Sequence, residues 1–120
     1  MYVDGSCYCG AIRYEAEVDP ARIGLCHCSD CQTFGSSAFR VATIVPADSI
    51  ALLEGTPSLY RKVAESGTAR SMASCPTCGT HVYATTADEE PKAYSLRVGT
   101  LAQASGLKPA ARIWCRSSPA

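Results

Sequence analysis

The sequence lacks the features that mark nucleic-acid-binding and membrane-spanning proteins. Its eleven Lys and Arg residues are balanced by eleven Asp and Glu residues, so there is no basic excess that could neutralise phosphates. No apolar run approaches the roughly 20 residues that a transmembrane helix needs. Residues 1–5 show neither the basic region nor the apolar segment of a secretory signal. We therefore expect a cytoplasmic protein with no nucleic-acid or membrane partner.

The sequence also lacks internal repeats, linkers and low-complexity tracts, and its 120 residues fit a single domain, residues 1–120. Strand patterns dominate: residues 11–18 alternate between apolar and polar side chains, and residues 38–45 are rich in β-branched and aromatic ones. Further short strands are predicted at 58–64, 69–75, 80–86, 93–98 and 111–116. This spacing is typical of an all-β protein.

One short helix is predicted, and it lies within a cysteine-rich segment. Ser29 and Gln32 have the spacing of a capping box, and Gly35 is expected to end the helix after about a turn and a half. Cys28 would then lie just outside the helix and Cys31 in its first turn, where backbone N–H groups favour a thiolate. An ordinary loop turn is the alternative.

Cysteine is what the sequence has in excess, with eight in 120 residues. Seven of them form three groups and one stands alone: Cys7 and Cys9; Cys26, Cys28 and Cys31; Cys75 and Cys78; and Cys115. In a reducing compartment, clustered cysteines are metal ligands or redox groups rather than structural disulfides.

The first predicted metal site is a closed one. The Cys75-Pro76-Thr77-Cys78-Gly79 turn points two sulfurs to one side and supplies half of a tetrahedral zinc site. Cys7 and Cys9, two residues apart on an extended segment, offer the other pair. A site with four cysteine ligands is structural and contributes folding energy rather than chemistry. Redox dithiols or unliganded thiols are the alternative.

The second predicted site is an open one, formed by Cys26, Cys28 and Cys31. Three thiolates can hold a second zinc and leave its fourth position vacant, which is the arrangement of a catalytic site. Zinc with three thiolates is a weak Lewis acid, so it favours binding of a soft thiol substrate over activation of water. A thiol ionised there would attack an electrophile such as an aldehyde.

Histidines and the lone cysteine leave alternatives open at both sites. His27 or Cys115 could supply a fourth ligand and close the second site, although Cys115 also fits a small buried hydrophobe beside Ile113. His81 could replace a sulfur in the first site, but a strand histidine beside Tyr83 is the simpler expectation.

Four motifs in this order resemble a known family. They are Gly5-Ser6-Cys7-x-Cys9-Gly10, Cys26-His27-Cys28-Ser29-Asp30-Cys31, Cys75-Pro76-x-Cys78-Gly79 and Trp114-x-Arg116-Ser117. Together they resemble the glutathione-dependent formaldehyde-activating (GFA) family, to which the centromere protein V-type proteins also belong.

The resemblance implies a fold, a reaction and two zinc sites. The fold would be the β-tent, an arrangement of antiparallel sheets around a structural zinc. The activity would be that of a carbon–sulfur lyase that joins formaldehyde and glutathione into S-hydroxymethylglutathione. The structural zinc would bind Cys7, Cys9, Cys75 and Cys78, and the catalytic zinc would bind Cys26, Cys28 and Cys31.

Substrate contacts are predicted from residue type. Glutathione carries two carboxylates, and the planar guanidinium group matches a carboxylate. The candidates are Arg40, Arg97, Arg112 and Arg116, each of which could instead solvate an outer sheet face. Residues just past the second cysteine group could line a cleft at the zinc: Phe34, Ser36, Ser37 and Phe39. For the two phenylalanines the alternative is the core.

Two other function classes are compatible with the sequence. Both zinc ions could be structural, and the sheets could then form a zinc-stabilised, non-catalytic module that binds other proteins. Thiol–disulfide or methionine sulfoxide reduction is the third class, and it would need a peroxide-reactive cysteine.

Overall fold

The computed structural model describes residues 1–27, 29–63, 67–87, 90–104 and 111–113, and the side chains of residues 29, 30 and 111–113 are not part of this description. The strands within this part are β1 Tyr2–Ser6, β2 Arg13–Glu17, β3 Ile23–Cys26, β4 Arg40–Pro46, β5 Ile50–Glu54, β6 Ser58–Val63, β7 Ala69–Ser74, β8 His81–Thr86, β9 Ala93–Arg97 and β10 Ala111–Ile113. The helix α1 is Ser29–Gly35, and short 3₁₀ helices occur at Pro20–Arg22, Ala47–Ser49 and Val98–Thr100.

The strands form two sheets. The smaller sheet has the order β1-β2-β5, and the larger has the order β10-β3-β4-β9-β8-β7-β6. Strand pairs are antiparallel except β10 with β3, which is parallel. The predicted all-β fold of antiparallel sheets with one short helix is therefore confirmed.

The hydrophobic core contains residues of both sheets. Val3 and Tyr14 of the small sheet belong to the same buried cluster as Val45 and Leu96 of the large sheet. The Tyr14 ring lies directly over Gly5, where a Cβ atom would overlap it. The alternation of strand side chains explains why one face of each sheet is apolar.

The second face of the large sheet carries cysteine and arginine instead. Cys26 on β3 is the register partner of Arg40 on β4, and Ala42 is the partner of Arg97 on β9. Because register partners share a face, and because alternate residues of one strand do too, Cys26, Arg40 and Arg97 all lie on the face opposite the core. We call this surface the sulfur–arginine face.

A β-bulge adds a histidine to this face. The register between β7 and β8 shifts so that Ser74 pairs with His81 while Ala73 pairs with Tyr83. The extra residue, Val82, is fully buried in the core. A bulge reverses the alternation beyond it, and His81 is thereby turned toward the sulfur–arginine face.

Helix α1 covers part of the same face. The Phe34 ring lies 6.1 Å from the ring of Tyr60 and 6.0 Å from that of His81, measured between centroids. The helix ends at Gly35 as predicted, but the residue with left-handed backbone is Ser36, at φ 51°. Its last carbonyls accept bonds from Ser36 and Ser37. The predicted cap concerns the side chain of Ser29, which lies outside the described part.

Candidate metal centre and the sulfur–arginine face

Two chain connections bring four cysteines together. Cys7 and Cys9 lie between β1 and β2, and Cys75 and Cys78 lie between β7 and β8. Their sulfur atoms all fall within 4.8 Å of one another. The separation is 3.6 Å from Cys7 to Cys9 and 3.7 Å from Cys9 to Cys75. The chain therefore gathers the four thiols predicted for the closed site.

Backbone N–H groups point at these sulfurs. The Ile12 N–H donates to Cys7 Sγ at 3.3 Å, and the Thr77 and Cys78 N–H groups donate to Cys75 Sγ, each at 3.4 Å. The turn after Cys75 closes with a 2.9 Å bond from the Gly79 N–H to the Cys75 carbonyl, and Gly79 takes a φ of 81°. Such donors favour thiolates over thiols.

A hydroxyl group completes the surroundings of Cys78. Thr80 Oγ1 lies 3.1 Å from Cys78 Sγ and accepts a 3.0 Å bond from the Tyr8 N–H. The Thr80 hydroxyl accepts that bond through a lone pair and can donate its own proton toward the sulfur. Bonds from the Thr80 side chain and backbone lower the pKa of Cys78 to about 5. The sequence analysis did not single out Thr80. A hydroxyl-bearing residue two positions after Cys78 is the feature of the sequence that could have identified it.

The four thiols do not all ionise alike. The Ala11 N–H lowers the pKa of Cys9, but burial and the three neighbouring sulfurs together raise it to about 11. A cation between the sulfurs would remove this mutual repulsion. The sulfur–sulfur separations of 3.6 and 3.7 Å also approach the edge of about 3.8 Å that 2.3 Å zinc–sulfur bonds give a tetrahedron. The cluster could therefore hold a metal ion.

The second cysteine group is separate from this cluster. Cys26 and Cys31 are both buried, and the Cys31 thiol donates to Cys26 Sγ across 3.0 Å. That distance is shorter than the zinc tetrahedron edge, so joint binding of zinc requires the sulfurs to part by about 0.8 Å. Cys28 and Cys115 lie outside the described residues.

The candidate histidines lie apart from the four-thiol cluster. Both nitrogens of His27, which is 3% exposed, have no hydrogen-bond partner among the described residues, and its ring lies 5.8 Å from that of Phe39. His81 faces Phe34, Arg97 and Arg40. Burial and the two arginines lower its pKa to about 4, so His81 is neutral at pH 7.

Arg97 is the most buried of the described arginine candidates, with 6% exposure. Burial, followed by the nearby Arg40, lowers the pKa of Arg97, and the sulfurs of Cys31 and Cys26 act in the opposite sense. The alternative that arginines of this group only solvate an outer face is therefore wrong for Arg97. The side chain of Arg112 and all of Arg116 lie outside the described part.

The two phenylalanines are not in the core. Phe34 is 37% exposed and Phe39 is 39% exposed, and Ser36 and Ser37 are exposed as well. The Lys62 ammonium lies 5.5 Å from the centre of the Phe34 ring. Phe34 thus forms part of the rim of the sulfur–arginine face, and the core alternative is wrong for both phenylalanines.

Within the described chain, no helix has the length and apolar character needed to cross a membrane. The fold and the thiol cluster define a small all-β protein whose four gathered cysteines could hold a metal ion. The family model for the glutathione-dependent formaldehyde-activating enzyme matches residues 2–117, and the chain belongs to this family.

Structural comparison supports the fold. A crystal structure of a Rhodobacter sphaeroides protein, a structural-genomics target, is similar to this chain with a TM-score of 0.68 and 24% identity. The match covers 91% of this chain and 98% of that one. At this identity the likeness concerns the fold alone. No curated protein matches the chain.

Proposed function

We propose that the protein is a zinc-dependent carbon–sulfur lyase of the formaldehyde-activating type, which adds a small thiol such as glutathione to formaldehyde or a similar electrophile. The observation that carries the proposal is the buried pair Cys26 and Cys31, which lies on an arginine-bearing face and apart from the four-thiol cluster. The chain's family supports the same reaction class. Reduced thiolate sites of this kind fit the cytoplasm.

The two cysteine groups have different roles in this proposal. Cys7, Cys9, Cys75 and Cys78 would hold a structural zinc, since four protein sulfurs leave no position for a substrate. Cys26, Cys28 and Cys31 would hold a second zinc with one position left for the thiol. When bound there, zinc supplies a soft Lewis acid that keeps a substrate thiol ionised near neutral pH.

The reaction needs no oxidant or reductant. The substrate sulfur forms a bond to the formaldehyde carbon, the carbon–oxygen π bond breaks, and the proton that left the sulfur ends on the new hydroxyl. The protein's own residues bind and orient the thiol and limit water. Cys26 and Cys31 are 4% and 3% exposed, and helix α1, which carries Cys31, places Phe34 beside His81 at the rim of the same face.

The test combines metal analysis with turnover. Purified protein should contain about two zinc ions per chain and should consume formaldehyde with glutathione faster than the spontaneous reaction. Cys31→Ser should abolish this excess rate, whereas Cys115→Ser should retain it, because the open site does not use Cys115. Two tightly held zinc ions without any excess rate would instead favour the protein-binding module.

A further inference from the structure

The guanidinium group of Arg97 is fixed on one side. Its Nη1 donates to the Ser95 carbonyl at 3.1 Å and to Ser95 Oγ at 2.9 Å. Ser95 lies two positions earlier on β9, and the two side chains therefore project from the same face of the sheet. This double contact orients the group without using its other donors.

The remaining donors of Arg97 form a ready-made binding edge. Nε and Nη2 are buried and have no hydrogen-bond partner among the described residues. These two nitrogens lie along one side of the planar group and direct their N–H bonds parallel to each other, the geometry that matches both oxygens of a carboxylate. A buried, oriented and unpaired edge of this kind is unusual, because buried donors are normally satisfied.

The positive charge around Arg97 is opposed by the sulfurs of Cys31 and Cys26 but by no carboxylate of the described residues. Arg40 lies close enough to lower the pKa of Arg97, and its own buried Nε is unpartnered within the described part of the chain. No carboxylate whose position is described forms an ion pair with either arginine. Two neighbouring cations in a poorly solvated place are unfavourable unless an anion joins them.

The distance from this edge to the cysteines suits a small molecule. Cys26 pairs with Arg40 on the adjacent strand, and Arg97 lies one strand further and two residues along. With strands about 4.8 Å apart and about 3.3 Å per residue, the Cα atoms of Cys26 and Arg97 are roughly 12 Å apart. The Arg97 side chain and a substrate only a few bonds long can span that gap together.

We propose that Arg97, assisted by Arg40, binds a carboxylate of the thiol substrate and thereby makes the site selective for acidic thiols. The inference rests on the proposed function, because it places the substrate's sulfur at the Cys26–Cys31 group. The ligand class is a thiol whose carboxylate lies a few bonds from its sulfur. Arg97 acts here as a specificity-determining residue.

The experiment compares two thiols that differ only in charge, 3-mercaptopropionate and 3-mercaptopropionamide. Each is titrated into the cobalt-substituted full-length protein, and the change in the sulfur-to-cobalt absorption gives its Kd. The wild-type protein should bind the carboxylate at least about tenfold more tightly than the amide. In Arg97→Met this preference should vanish, while the Kd of the amide should stay within about twofold.

Control variants separate binding from folding. Arg61→Met removes an exposed arginine from β6, on the opposite face of the same sheet, and should keep the full preference. If Arg97→Met does not fold, Arg97→Lys and Arg40→Met take its place. Each should fold and retain only part of the preference. In Arg97→Lys the lysine cannot offer the two parallel donors, and in Arg40→Met the assisting arginine is missing.

The outcomes distinguish this inference from the proposed reaction. Equal binding of the two thiols to the wild-type protein, or equal weakening of both by Arg97→Met, would overturn the carboxylate site and show that Arg97 serves the protein's own thiolates. Glutathione-dependent turnover can persist in that case. A strong carboxylate preference without any formaldehyde consumption would support the carboxylate site and contradict the reaction.

Discussion

The sulfur atoms of Cys9 and Cys75 lie 3.7 Å apart although 66 positions separate the two residues. One belongs to the connection within the small sheet and the other to a turn of the large sheet. A metal ion bound there links the two sheets across a long stretch of chain. Because closing such a loop costs chain entropy, a metal ion bound there would stabilise the fold by a link that the isolated thiols do not supply.

The hydroxyl of Thr80 is expected to tune this centre. Thr80→Val removes the contact to Cys78 Sγ and the acceptor of the Tyr8 N–H. Metal affinity should fall about 10- to 100-fold, as is usual when a residue that orients a ligand is lost. Competition with a chromophoric chelator measures it. Thr77→Val is the matched control, since Thr77 contributes only its backbone N–H, and its affinity should not change.

The turn after Cys75 should be sensitive to a single methyl group. Gly79 has a φ of 81°, and a Cβ there would meet no atom within 4 Å, so Gly79→Ala isolates backbone strain. We expect a loss of about 1 kcal/mol in the free energy of unfolding. Gly99 has equal free space but no left-handed backbone, so Gly99→Ala should lower the free energy of unfolding clearly less in the same denaturant titration. Equal losses would contradict the strain argument.

A chain of hydroxyl groups links the small sheet to the end of β9. Tyr14 Oη lies 2.6 Å from Thr100 Oγ1, and Thr100 donates to the Arg97 carbonyl at 2.8 Å. Tyr14→Phe should therefore lower the free energy of unfolding by about 1 kcal/mol. Tyr8→Phe, at a side chain that is 92% exposed, should leave it unchanged. An effect at Tyr8 as large as at Tyr14 would refute this account.

His81 should make stability depend on pH. Its pKa is lowered from 6.5 to about 4 by burial, Arg97 and Arg40, so the unfolded state binds more protons between these values. The His81 contribution is therefore present above pH 6.5 and is lost as the pH falls toward 4. Between pH 7 and pH 5 the wild type should lose about 1 kcal/mol more than His81→Gln, allowing for solvent screening.

Chemical denaturation of both proteins at the two pH values checks this difference. The thiolates of the metal centre also take up protons in acid, but they do so in both proteins, so the comparison removes their effect. Parallel loss of stability in the two proteins would show that the histidine ring is better solvated than its position among the arginines indicates.

Most of the strands could be predicted from the sequence, but three could not. The predicted segments correspond to β2, β4 and β6 to β10, and their described ends differ from the predicted ones by at most two residues, with β4 running one residue past its predicted end to Pro46. β1, β3 and β5 were not predicted. β1 contains Asp4 and Gly5, and β3 contains Gly24, residues that weaken local strand signals. Their pairing partners hold these segments in the sheet.

The candidate site was partly predictable for a physical reason. Cysteine spacing reveals which sulfurs can share a metal ion, and the four-thiol cluster follows from it. The surroundings depend on which face a side chain takes, and a single bulge at Val82 reverses that choice for His81. The contact between Ser95 and Arg97 likewise depends on rotamers that a sequence pattern does not fix.

The central claim is that three cysteines hold a metal ion separate from the structural one and leave it open to a thiol. Metal content and glutathione-dependent formaldehyde consumption of Cys28→Ser, beside the wild type, test it most directly. The account predicts a folded variant with about one zinc per chain and no excess rate, against about two in the active wild type. A Cys28→Ser protein that keeps both ions and full activity contradicts it. So does a Cys28→Ser protein that unfolds, because that is the result expected if the second ion were structural.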